Sequence, residues 1–201
     1  HCGHEDCGPD GCNHDHDDED QGTDPGAFAA DGGSTPSPES GSPTSGTSVS
    51  SYSYSGENHI DSLLGLYKWG GALGTGANLT YSFGTANSVY ASGYSEPTNG
   101  FAEFSSHQKA QTRLALEFWS DVADLTFTEV TDSASVAGDL RFAKSSEPST
   151  AWAYTPNSGA TGGDVWVGPA SNYDDMSLGT YGFQTMLHEI GDALGLMHTH
   201  Q

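Results

Sequence analysis

The stretch that decides the reading is Thr185-Met186-Leu187-His188-Glu189-Ile190-Gly191-Asp192-Ala193-Leu194-Gly195-Leu196-Met197-His198. Phe183, Met186, Leu187, Ile190, Ala193 and Leu194 recur at the period of one buried helix face. Thr180 suits the N-cap, and Gly195 suits the position just past the end, where a left-handed residue closes a helix. His188 and Asp192 are four residues apart and so face the same way, with Glu189 projecting beside them. Gly195 lets the chain turn sharply and bring His198 round to the same point. Such a cluster beside a glutamate is the geometry of a zinc hydrolase, in which the metal acidifies a water and the carboxylate takes its proton.

Upstream, Leu79-Thr80-Tyr81-Ser82-Phe83 alternates apolar and polar residues, as a half-buried strand does. Ser105 with Gln108 fits a capping box, and Ala110, Leu114 and Phe118, with Ala115, Trp119 and Val122 beside them, continue it as a long amphipathic helix. Residues 125–130, 139–142, 151–154 and 164–167 are short runs rich in β-branched and aromatic residues and bounded by turn formers, which predicts four more strands. The order strand, helix, four strands, helix predicts a mixed α/β layer with a sheet packed on two helices.

Composition narrows the function from the other side. Of 201 residues 27 are acidic and 5 are Lys or Arg, a net charge of -22 that repels phosphate backbones and anionic lipid, so neither nucleic acid nor membrane is expected as a partner. No apolar run approaches the ~18 residues that span a bilayer. The chain opens at His1 with neither an initiator Met nor a signal-peptide pattern, which reads as a fragment or a processed product. Residues 1–31 form an acidic tail holding all three cysteines, Cys2, Cys7 and Cys12, among several histidines; soft-metal capture and plain solvated charge are both open for it. Residues 32–57 are Gly-, Ser-, Thr- and Pro-rich and read as a linker, which leaves 58–201 as one domain with a real core.

The helix matches the zincin pattern H-E-x-x-H-x-x-G-x-x-H at every fixed position except 192, where aspartate stands for the second histidine. Around it, residues 179–185, the Phe104 to Ala110 and Phe118 to Val130 stretches, Gly163-Asp164-Val165-Trp166 and Ala151-Trp152-Ala153-Tyr154 together resemble the serralysin branch of the metzincin peptidases. The resemblance covers about residues 58 to 198. It implies a metzincin-like zincin domain with a twisted five-stranded mixed sheet and two long helices, and a monomer acting on protein or peptide substrates. It further implies Zn2+ held by His188, residue 192 and His198, Glu189 as the base, and Ala151, Trp152, Ala153 and Tyr154 as the edge strand against which a peptide lies. Secretion by type I export, a methionine turn and Ca2+-binding glycine-rich repeats, all dependent on sequence beyond Gln201, belong to the same expectation.

Aspartate is shorter than histidine and charged. Its oxygen has to come within about 2.0–2.2 Å of zinc, which asks the ion or the helix to shift, and its charge weakens the Lewis acid. Three functions therefore compete: a secreted zinc endopeptidase impaired in this chain, an inactive member that still binds peptides at its edge strand, and a metal-binding protein acting through its N-terminal tail. No G-x-S-x-G elbow occurs and the only cysteines are in the tail, which argues against serine or cysteine catalysis within the domain.

Overall fold

The computed structural model describes residues 46–198. The acidic tail, its cysteines and most of the expected linker lie outside the described residues. Chain order is β1 (Val49–Ser51), α1 (Asn58–Asp61), β2 (Tyr67–Trp69), β3 (Ala77–Phe83), α2 (Ser106–Val122), β4 (Leu125–Glu129), β5 (Leu140–Lys144), β6 (Ala151–Ala153), β7 (Asp164–Val167) and α3 (Tyr181–Leu194). The main sheet runs β4-β3-β5-β7-β6. All its pairings are parallel except β6 on β7, so the sheet is mixed and β6 is an antiparallel edge.

Side-chain alternation builds two layers on this sheet. Leu79, Tyr81, Phe83, Leu140, Phe142, Val165 and Val167 pack on one face with Ala115 and Leu116 of α2 and with Phe183, Met186, Ile190 and Ala193 of α3. The intervening positions face the other way, where Ala143 and Trp166 meet Ala91 and Tyr94, flanked by Tyr90, Phe101, Trp152 and Tyr154. That second layer corrects the expectation of a half-buried β3. Ser82 is fully buried and donates to Asp132 Oδ2 at 2.7 Å, because residues 84–104 and 130–139 cover the face that alternation alone assigns to solvent.

The predicted caps form. Ser105 accepts from the Gln108 backbone N–H while the Gln108 side chain accepts from the Ser105 N–H, a complete capping box on α2. Thr180 caps α3 by accepting from the Phe183 N–H. Strand boundaries differ from the sequence reading by one or two residues: β3 begins at Ala77, since Ala77 and Asn78 pair with Leu125 and Thr126, β5 starts at Leu140 and continues to Lys144 beside Val167, and β4 and β6 each end one residue earlier, at Glu129 and Ala153. Within the segment read as linker, Val49–Ser51 forms β1 and pairs antiparallel with β2. From the end of β2 the buried Trp69 donates its Nε1–H to Ala193 O at 2.8 Å, satisfying a carbonyl in the last turn of α3. No helix among the described residues is long and apolar enough to cross a membrane.

Candidate metal centre on the last helix

The end of α3 is shaped by a Schellman motif. Gly195 N–H donates to Asp192 O at 2.9 Å and Leu196 N–H to Gly191 O at 3.0 Å, with Gly195 in the left-handed region at φ 108. Space requires glycine there too, since a Cβ at 195 would meet Tyr67 O at 2.6 Å. After the turn, residues 63–65 pin the chain: Gly65 N–H donates to Gly195 O at 2.8 Å, Met197 N–H donates to Leu63 O at 2.9 Å, and Leu64 and Leu196 form an antiparallel bridge. This clamp directs His198 back toward the helix. Residues 63–65 lie near the start of the expected domain, and no local pattern signals their pairing with residues more than a hundred positions on.

His188, Asp192 and His198 converge, with one ligand atom from each lying within 4.8 Å of the others. His188 Nε2 is 3.5 Å and His198 Nε2 3.3 Å from Asp192 Oδ2, and the two imidazole nitrogens are 2.8 Å apart. Ligand atoms at ordinary zinc bond lengths on a tetrahedron lie about 3.3 Å from one another. Both distances to the carboxylate meet that spacing, and the two imidazoles sit closer together than it. The donor set therefore fits zinc. The shorter reach of aspartate is met without a break in α3, because the imidazoles gather on Oδ2. The cluster lies on the last turns of α3, whose dipole favours a cation there. It opens on a cavity of about 440 Å³ that Leu63, Trp119, Leu196 and Met197 also line. Trp119 donates its Nε1–H to Leu187 O at 3.1 Å, and Gly191 leaves room for its ring, since a Cβ there would meet Trp119 Cζ2 at 3.0 Å.

Glu189 is buried, 6% exposed, whereas the His188 side chain beside it is 50% exposed. The edge strand β6 packs against α3. Its four expected contact residues divide by alternation. Ala151 and Ala153 turn their side chains to the helix face, while Trp152 and Tyr154 turn theirs into the opposite layer. Tyr154 N–H donates to Asp164 O at 2.9 Å, so the hydrogen-bonded pairs with β7 fall on the even residues and the backbone groups of Ala151 and Ala153 point away from β7. Any chain added to this edge would meet those two alanines in backbone, not the two aromatic side chains.

The matrixin family model, peptidase M10, matches residues 96–201. Serralysin C of Dickeya chrysanthemi is 38% identical over 65% of this chain and 28% of its own length. Metallopeptidase AprA of Pseudomonas marginalis is 38% identical over 60% of this chain and 26% of its own. A serralysin of Photorhabdus sp. (strain Az29) is 33% identical over 67% and 29%. The chain spans less than a third of the length of these relatives. With the sheet, both long helices and the matched stretch in agreement, the chain belongs to the matrixin family of metallopeptidases and carries a serralysin-type metzincin domain.

Proposed function

We propose that this protein is a secreted zinc-dependent endopeptidase that works as a monomer on extended protein or peptide substrates. The convergence of His188, Asp192 and His198 at ligand spacing, with Glu189 next to His188 in the chain, carries the reading. In it, His188 and His198 donate through Nε2 and Asp192 through Oδ2. When bound, zinc supplies Lewis acidity to the scissile carbonyl and to water. Glu189 accepts the proton of the attacking water and returns it to the departing amine. Ala151 and Ala153 take the substrate backbone as an added strand, which holds the scissile bond in register. The calcium sites of the same reading depend on sequence beyond Gln201.

Asp192 sets the level of activity. A carboxylate in place of imidazole adds a negative charge to the ligand set, which makes the ion a weaker acid and the protein a slower enzyme. The test is casein hydrolysis and zinc content of the full chain beside Glu189→Ala. The reading predicts slow, chelator-sensitive cleavage by the parent, and bound zinc without cleavage in the variant. Cleavage that persists in Glu189→Ala contradicts it. Casein bound but uncut by the parent moves the chain to the inactive, peptide-binding alternative.

A further inference from the structure

Beneath β6, on the face away from α3, sits Glu96, 2% exposed and unused in the chemistry above. Its Oε1 accepts from Trp152 Nε1–H at 3.2 Å and from the Tyr154 hydroxyl at 2.5 Å, and its Oε2 accepts from the Ser95 hydroxyl at 3.1 Å. The loop bearing it is fastened in turn, since Ser145 Oγ donates to Glu96 O at 2.9 Å. Tyr94, two residues before, packs edge-on against the Tyr154 ring at 5.6 Å and accepts from Trp166 Nε1–H of β7. One buried carboxylate therefore grips two alternate side chains, Trp152 within a strand only three residues long and Tyr154 just past its end, and that strand has a single sheet neighbour.

A strand that short has little intrinsic hold on its register. Burying a carboxylate without donors is costly, so Glu96 and the two donors of β6 are satisfied only together, in one position of the strand. We propose that Glu96 is a positioning residue: through Trp152 and Tyr154 it fixes β6, and with it the outward backbone groups of Ala151 and Ala153. The use of that edge by a peptide rests on the function proposed above, whereas the anchoring of β6 does not.

The experiment pairs native-state amide exchange with peptide affinity in the full chain. In Glu96→Ala the amides of Trp152 and Tyr154 should exchange about tenfold faster or more, the scale set by orphaning a buried hydrogen-bonding group. Amides of β3 and β4 should keep their rates, and zinc content should be unchanged. Glu96→Gln, which retains an acceptor oxygen, should restore most of the protection. If Glu96→Ala does not fold, Tyr154→Phe and Trp152→Phe remove the donors from the other side and should accelerate the same amides by smaller factors. Equal acceleration across the sheet, or none at β6, overturns the proposal. A fluorescein-labelled casein peptide, titrated into Glu189→Ala with and without Glu96→Ala, separates the two readings. Weaker binding with faster β6 exchange supports both. Unchanged binding with faster β6 exchange leaves the anchoring standing and removes the edge strand as the peptide site.

Discussion

The two edges of the sheet are protected in opposite ways. At β4 the support is on the surface: Arg113 donates from Nε and Nη2 to Glu129 at 2.7 and 2.9 Å, with the two side chains 41% and 39% exposed. On the β6 half the polar support is interior. Arg141 pairs with Asp132 at 2.9 Å with both side chains almost wholly buried, and Asp164, Glu96 and two tyrosines lie around it. A charged, exposed edge discourages another chain from pairing with it. The edge packed against α3 instead carries alanines toward the helix face and puts its polar anchors behind the sheet, away from the outward backbone groups of Ala151 and Ala153. Where a fold must leave an edge open for use, the device that holds the strand has to sit on the face that is not used.

The contrast breaks most directly at the buried pair. Asp132→Ala leaves the Arg141 guanidinium buried beside lost acceptors and should cost about 3–5 kcal/mol in guanidinium denaturation. A loss below ~1 kcal/mol would mean that this half is no more demanding than the β4 edge.

A pH effect follows from the same interior. Burial pushes the Asp164 carboxyl up to about 8, with Asp132 and Glu96 adding to the shift and Arg141 and Tyr94 opposing it. Asp164 Oδ2 has no hydrogen-bond partner among the described residues, in keeping with a neutral acid. Between the ordinary carboxylate range and pH 8 the folded chain thus keeps a proton that the unfolded chain releases. The contribution is complete at low pH and is lost as pH rises through that window. Asp164→Asn removes this linkage, so its urea midpoint should gain on that of the parent steadily from pH 4 to 8. Parallel curves would show that Asp164 is ionised in the fold.

Gly195→Ala forces a side chain into the left-handed turn and against Tyr67 O, a strain of about 1–3 kcal/mol, and should lower zinc affinity by displacing His198. A variant with lowered stability and intact zinc binding would detach the turn from the cluster. The smallest effect belongs to the exposed edge: Arg113→Ala should cost about 1 kcal/mol or less, and less again in high salt.

Sequence periodicity carried α3 and α2 with their caps, since Thr180, Ser105, Gln108 and Gly195 act on neighbours within a few residues. It also brought His188, Asp192 and His198 together, because an i,i+4 pair and a glycine turn are local devices. What it missed depends on distant pairing. The clamp of residues 63–65 on the turn, the β1–β2 ribbon against α3 and the layer that buries Ser82 have no local signature. Glu96 stands in a polar Ser-Glu-Pro-Thr run that reads as an exposed loop, and only the fold turns it under Trp152 and Tyr154. The edge was legible as a strand, one residue longer than β6 is. Which two of its residues offer their backbone outward was not, since that needs the register with β7.

Whether His188, Asp192 and His198 build a weakened zinc site is decided by equilibrium dialysis of zinc against the full chain, Asp192→His and the double variant His188→Ala/His198→Ala. One zinc per parent chain is expected, bound about 10–100-fold more tightly after Asp192→His and lost from the domain in the double variant. Zinc held undiminished by the double variant, or no gain in affinity on Asp192→His, would contradict such a site.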